Sequence, residues 1–187
     1  MELRNTALII FILLFFLRIF EVFYLSRKKQ KGEIKNDWIT ILIVICYGLV
    51  VSGSILEFLV LKRQLNLMVS LVSFFLLTFR FFIKIWAVKT LGEFWSARIE
   101  IRPQHKLIKA GPYQYMRHPV YLCNIIEILV TPLVLNAYYT TLTFSLLCIP
   151  VIITRMYFEE KALIEKFGYE YKEYINECYA LIPIRKR

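Results

Sequence analysis

Apolar residues gather along this chain into five long stretches, at residues 6–25, 38–60, 67–88, 119–135 and 138–158. Each approaches the roughly 20 residues that a helix needs to cross a hydrocarbon core about 30 Å thick. The last two are separated only by Asn136-Ala137, with Tyr138-Tyr139 beside them. That spacing predicts a tight helical hairpin whose tip carries aromatics at the membrane interface. The first stretch is too long for the apolar region of a signal peptide, carries Arg18 and Glu21, and lacks a small-residue cleavage site, so it reads as an uncleaved first span.

The polar segments between the stretches fix an orientation. Basic residues crowd the first connection (Arg27, Lys28, Lys29, Lys31, Lys35), the third (Arg98, Arg102, Lys106, Lys109, Arg117) and the tail (Arg155, Lys161, Lys166, Lys172, Arg185, Lys186, Arg187). The opposite side holds Arg4, Lys62 and Arg63. This alternation fits five spans, with the N-terminus outside and the C-terminus in the cytoplasm. Two segments on the basic side are longer than turns. Residues 91–117 hold Pro103, Gly111, Pro112 and short β-branched pieces such as Arg98-Ile99-Glu100-Ile101. Residues 159–187 carry a helical stripe, Leu163, Phe167, Tyr171, Tyr174 and Cys178, with Gly168 as a break. An amphipathic tail helix that lies on the membrane or folds back over the bundle accounts for it.

Composition supports this reading. The chain has 187 residues, of which 58% are hydrophobic, more than one soluble core of that size can bury. The formal charge is +10, yet the basic residues flank apolar runs rather than forming one stripe. Anionic lipid headgroups are therefore the expected partner, and nucleic acid is not. The cysteines Cys46, Cys123, Cys148 and Cys178 show no metal-ligand or redox spacing, and there are only 2 histidines, so no metal is expected. With no internal repeat, the chain reads as one domain, 1–187. Three N-terminal spans occupy 1–89, and a loop, the hairpin and the tail occupy 90–187.

Candidate chemistry concentrates in the second half. Pro119 suits the first turn of a helix, where its missing N–H would be unpaired anyway. The following N–H groups and the helix dipole make an anion-binding end, to which Arg117 and His118 add positive charge. Arg155 and Glu159 stand four apart, on one helix face at the cytoplasmic end of the fifth span. The hairpin brings His118 and Glu159 to similar depth, so a basic helix start and an acidic helix end could hold both ends of an amino acid. The plain alternatives are an interfacial helix start and an ordinary i,i+4 ion pair. Glu57, Arg80, Lys84 and Glu127 fall inside spans, where charge is costly and marks function by default. Glu57 and Lys84 lie near span ends and are expected to snorkel. Arg80 and Glu127 are deeper, able to pair or to line a cavity.

The order His105-Lys106-Leu107-Ile108, Gly111-Pro112-Tyr113, Arg117-His118-Pro119-x-Tyr121, Arg155-x-x-x-Glu159-Glu160, Phe167-Gly168-x-x-Tyr171-x-x-Tyr174 and Pro183 resembles the isoprenylcysteine carboxyl methyltransferase family, over roughly residues 91–183. The stretch from Ile85-Trp86-Ala87 to Phe94-Trp95 looks similar to a bacterial branch, some of whose members act on long-chain alkylpyrones. The resemblance implies an all-α membrane enzyme that uses S-adenosyl-L-methionine. It implies cofactor contacts at His105, Lys106, Leu107, Ile108, Tyr113, His118, Pro119, Val120, Tyr121 and Glu159, with Arg155 facing the substrate as the catalytic arginine. Cys123 stands where most of the family has glycine, a departure that bears on helix packing. The first three spans carry little family signal and are expected to set substrate choice.

The expectation is thus an S-adenosylmethionine-dependent O-methyltransferase in the cytoplasmic membrane, its site facing the cytoplasm. Its acceptor would be a lipophilic or prenylated molecule bearing a carboxylate or an acidic hydroxyl. Two alternatives remain at this point: a sterol-reductase-like oxidoreductase that binds NADPH, and a non-catalytic scaffold or transporter subunit.

Overall fold

The computed structural model describes residues 2–25, 33–35, 37–62, 64–101 and 106–186. Among them the elements run α1 (Glu2–Leu25), β1 (Glu33–Lys35), α2 (Asp37–Leu61), α3 (Leu67–Leu91), β2 (Ile99–Ile101), α4 (Pro119–Val130), α5 (Tyr138–Phe167) and α6 (Tyr169–Glu177). The all-α membrane architecture stands. It is joined by the antiparallel pairing of β1 with β2, Ile34 opposite Glu100, which ties the first connection to the third.

Among the described residues four helices are long and apolar enough to cross a membrane, over Arg4–Val22, Trp38–Leu61, Leu67–Phe94 and Tyr138–Phe167. Large side chains stand exposed on their outer faces, among them Phe16, Phe20, Val60, Phe75, Phe82 and Leu146. An apolar surface of that extent matches lipid. The fourth apolar stretch departs from the expectation of a fifth full span. Its helix α4 has 12 residues, about 18 Å at 1.5 Å per residue, and gives way to a 3₁₀ turn over Pro132–Leu135. Pro132 offers no N–H to continue the helical ladder.

The hairpin tip is built as expected, by side chains that satisfy helix ends. Asn136 adopts the left-handed conformation, φ +53°, and closes the turn between α4 and α5. Its Oδ1 accepts from the backbone N–H of Asn66 at 2.6 Å, and its Nδ2 donates to Ser70 Oγ at 2.9 Å. Asn66 in turn caps α3, its own side chain accepting from the N–H groups of Met68 and Val69. Glu57 does not snorkel into solvent. Its carboxylate accepts the N–H groups of Tyr139 and Thr140 at 3.1 and 2.7 Å, capping the start of α5 from α2.

Lys84 departs further from expectation, being 3% exposed. It belongs to an ion network inside the bundle that joins α1, α2, α3 and α4. Glu127 Oε1 receives Arg18 Nε at 2.7 Å, Arg80 Nη2 at 3.0 Å and the Tyr47 hydroxyl at 2.5 Å. Glu21 faces Arg18 at 3.3 Å, Arg80 at 3.5 Å and Lys84 at 3.3 Å. Of the two possibilities open for Arg80 and Glu127, pairing or lining a cavity, they pair, within a larger assembly. Sequence position misled for Lys84 because α3 continues to Leu91, which places the residue a full two turns from the helix end.

The tail folds back over the long third connection. Gly168, φ +56°, ends α5 and starts α6, the break anticipated there. The stripe residues Tyr171, Tyr174 and Cys178 are buried against Leu107, Leu163 and Phe167. Cys123 is buried as well, its Sγ 3.5 Å from the carbonyl of Arg80, so a thiol fits between α3 and α4.

Candidate functional site

A cavity of about 240 Å³ opens between the loop end of the bundle and the tail. Its two halves differ in chemistry. The outer half is walled by Leu107, Ile108, Tyr113, His118, Glu159, Phe167, Tyr171 and Tyr174. The inner half reaches between the spans to Val22, Thr40, Ile43, Val44, Arg18, Lys84 and Asn124. Tyr121 and Arg155 stand where the halves meet.

Local structure explains how these residues converge. Gly111 takes φ +57°, and a Cβ there would lie 2.7 Å from Thr90 Oγ1. Only glycine lets the loop turn this close to α3. The 3₁₀ turn Gly111–Gln114 then delivers Tyr113, buried, to the cavity. Pro119 occupies the first turn of α4, as its missing N–H allows. The tail pins this start: the N–H groups of Arg117 and His118 donate to the carbonyls of Tyr179 and Ala180 at 3.0 and 2.9 Å. The Arg117 guanidinium also donates to the carbonyl of Cys178 and to Glu160 Oε1, the latter at 2.9 Å.

The two glutamates divide their roles. Glu160 accepts from Arg117 and lies 2.9 Å from His118 Nε2, and it is absent from the cavity wall. Glu159 lines the cavity. The Tyr121 hydroxyl donates to Glu159 Oε2 and accepts from Arg155 Nε at 3.1 Å. Arg155 also donates through Nη2 to the carbonyl of Ala97. The anticipated i,i+4 contact of Arg155 with Glu159 is thus mediated by the Tyr121 hydroxyl. Glu159 Oε1 and Arg155 Nη1 have no hydrogen-bond partner among the described residues, and both belong to side chains that wall the cavity.

The aromatic wall stays protonated at neutral pH. Burial pushes the Tyr113 phenol well up, and the charge of Glu159 adds to it. Tyr171 is raised by burial first, then by Glu160 and Glu159. Tyr174 is raised by burial and donates its hydroxyl to the carbonyl of Tyr113. These rings therefore offer neutral faces and O–H donors beside the Glu159 carboxylate.

Most of the residues singled out from sequence meet here: Lys106, Leu107, Ile108, Tyr113, His118, Val120, Tyr121, Arg155 and Glu159 all line the one cavity. His105 lies outside the described residues. Pro119 is fully buried at the helix start and positions its neighbours without walling the cavity. Sequence reading missed Trp95, Ala97, Asn124, Lys84 and Arg18 as wall residues. Asn124 carried a usable signal, since it follows Tyr121 by three positions and so shares its face of α4.

Comparison with known proteins gives the chain a family. Residues 71–165 match the isoprenylcysteine carboxyl methyltransferase (ICMT) family. The chain is 40% identical over 83 residues to the uncharacterized protein YpbQ of Bacillus subtilis, covering 44% of this chain and 49% of that protein. It is 35% identical over 99 residues to a probable protein-S-isoprenylcysteine O-methyltransferase of Oryza sativa subsp. japonica, covering 52% of each. The chain thus spans about half the length of the curated relatives it matches. Its fold superposes on the eukaryotic intramembrane Ras methyltransferase ICMT with a TM-score of 0.66 at 23% identity, over 73% of this chain and 52% of that one. The matched residues take in half of the sequence and both helices that meet at Tyr121, and the chain belongs to the isoprenylcysteine carboxyl methyltransferase family.

Proposed function

We propose that the protein is an S-adenosylmethionine-dependent O-methyltransferase acting on a carboxylate or acidic hydroxyl of a lipophilic acceptor. The observation that carries this reading is the junction Arg155–Tyr121–Glu159, set between a tyrosine-walled chamber and a chamber between the spans. The residues of the outer chamber fit the cofactor. Glu159 has an oxygen free for an ammonium or a ribose hydroxyl, Leu107 and Ile108 give an apolar bed for a purine, and the tyrosine rings suit a sulfonium. Bound there, S-adenosylmethionine supplies an electrophilic methyl group, whose bond to sulfur breaks as the bond to the acceptor oxygen forms.

The chain's own residues supply alignment. In-line displacement at a methyl group needs a nucleophilic oxygen held in place more than it needs a base. The guanidinium of Arg155, 8% exposed and fixed by Tyr121 and Ala97, presents its remaining N–H groups to an acceptor oxyanion. A carboxylate is received there already ionised, and an acidic hydroxyl is stabilised as its anion by the same charge. The inner chamber, apolar at Val22, Ile43 and Val44, takes the adjoining part of the acceptor. The relatives named as protein-S-isoprenylcysteine O-methyltransferases favour an acceptor of prenylated type.

Thermal stabilisation in detergent tests the reading. S-adenosylhomocysteine should raise the melting temperature, and NADPH should not. Glu159→Gln should weaken S-adenosylhomocysteine binding roughly 10- to 150-fold, the worth of a charged hydrogen bond. Stabilisation by NADPH alone, or unchanged affinity in a folded Glu159→Gln variant, refutes it.

A further inference from the structure

Where the cavity reaches between the spans, its wall is apolar at Val22, Ile43 and Val44 but carries charged and polar side chains beside them. Lys84, 3% exposed, and Asn124 both wall it, and Lys84 Nζ donates to Asn124 Oδ1 at 3.2 Å. Arg18 reaches the same end. Behind them, the network holds three cations, Arg18, Arg80 and Lys84, against two carboxylates, Glu21 and Glu127. Among the described residues the assembly is one positive charge in excess, inside the bundle. Arg80 Nε lacks any hydrogen bond, as do the carboxylate oxygens Glu21 Oε1 and Glu127 Oε2, while Arg18 Nη1 and Arg80 Nη1 meet Glu21 as ion pairs at 3.3 and 3.5 Å. A buried cationic excess is costly unless something anionic or oxygen-rich comes to meet it where the network opens to the cavity. Of its charged groups, those that open onto the cavity are Arg18 and Lys84.

Position on α4 gives the scale. Tyr121, which carries Arg155, and Asn124, which carries Lys84, project from one face of the helix one turn apart. The two oxygens of a single carboxylate share one carbon, and both are taken up by the fork of one guanidinium. Lys84 Nζ already meets Asn124 Oδ1 at 3.2 Å and Glu21 Oε1 at 3.3 Å, and its third N–H is the donor that an acceptor held only at Arg155 would leave unused.

We propose that Lys84 and Asn124, beside Arg18, form a second acceptor subsite one helical turn beyond Arg155, so that the acceptor is an amphipathic acid whose head carries a second oxygen, separate from the group to be methylated. This rests on the methyltransferase reading, and it narrows the acceptor. A fatty acid, with one carboxylate at the end of a hydrocarbon, fills Arg155 alone. An acid whose head carries a carbonyl oxygen a few bonds away fills both.

The full chain in phosphatidylcholine nanodiscs allows a direct comparison of two anionic probes of similar length, N-tetradecanoylglycine and hexadecanoate. The first carries an amide carbonyl beyond its carboxylate and the second does not. With S-adenosylhomocysteine bound, so that no turnover occurs, N-tetradecanoylglycine should bind about tenfold more tightly, as expected for a hydrogen bond from an ammonium. Lys84→Met should reduce this preference to within about twofold while S-adenosylhomocysteine affinity stays unchanged. Asn124→Leu leaves the Glu21 contact of Lys84 in place. It serves if the lysine variant does not fold, and should cut the preference at least threefold. Equal binding of both probes by the native protein, or a preference that survives in folded Lys84→Met, overturns the subsite. Should the native protein fail to bind S-adenosylhomocysteine, the methyltransferase reading falls. The probe comparison, repeated without that ligand, still judges the subsite.

Discussion

Replacing Glu127 by glutamine removes one charge from the centre of the ion network and changes almost nothing in shape. Three groups converge on its Oε1 within 3.0 Å: Arg18, Arg80 and the Tyr47 hydroxyl. The residue is 1% exposed, so no water takes over the role of the carboxylate. In the variant the three cations face Glu21 alone, and the excess rises from one positive charge to two. Breaking a buried pair by removing one partner costs about 3–5 kcal/mol. At roughly 2–4 °C per kcal/mol for a chain of this size, the melting temperature should fall by about 6–20 °C. Tryptophan-fluorescence melts in detergent read this directly. The double variant Arg18→Gln/Glu127→Gln restores the original charge excess and should recover a good part of the loss, a coupling that a double-mutant cycle isolates. A Glu127→Gln protein that melts within about 2 °C of the native one, or a double variant worse than the two single losses added, would refute the account of the network.

The remaining expectations concern the site and its setting. Arg155→Lys should keep S-adenosylhomocysteine affinity within about twofold yet lose most single-turnover methylation, since an ammonium cannot reproduce the fork that holds Tyr121, Ala97 and the acceptor together; full turnover would remove Arg155 from acceptor alignment. Gly111→Ala forces a Cβ to 2.7 Å from Thr90 Oγ1 at φ +57° and should destabilise the loop by more than about 1 kcal/mol, read as faster proteolysis of residues 106–116 and weaker ligand stabilisation. Cysteine labelling should place positions 5 and 136 outside and positions 31, 109 and 187 inside, and a cytoplasmic N-terminus would defeat the orientation read from basic residues.

The outer chamber was legible in the sequence because its chemistry lies in short motifs. His118, Arg155 and Glu159 stand on two helix ends, where local rules for proline and i,i+4 neighbours place them, while Tyr113 and Tyr121 were marked only by the family resemblance. The hairpin was legible for a similar reason, since Asn136 can close its turn almost alone. The inner chamber was not. Lys84 and Arg18 reach the cavity only because α1 and α3 pack beside α4, and hydropathy says that a helix spans without saying which face meets which neighbour. The length of the fourth stretch misled as well. A largely apolar stretch from Pro119 to Leu135 looks like a span, but Pro132 divides it into a short helix and a turn. Proline at that position says that a helix stops, while the depth at which it stops depends on the partners Asn66 and Ser70, some seventy residues away in sequence.

The distribution of charges among the helices bears on how the protein can be made. Helix α1 brings Arg18 and Glu21 together one turn apart, so it enters lipid as a nearly neutral rod. Helix α3 brings Arg80 and Lys84 with no carboxylate of its own inside its span. Each unpaired cation at the middle of a bilayer costs about 2.5–3.5 kcal/mol on insertion. The carboxylate that meets Arg80 most closely, Glu127, is synthesised 47 residues later, on a helix too short to cross by itself. Neither α3 nor α4 is therefore a comfortable passenger alone. The nascent chain should hold α3 at the insertion site, beside α1 and shielded from lipid, until the hairpin of α4 and α5 arrives and the charges close over one another.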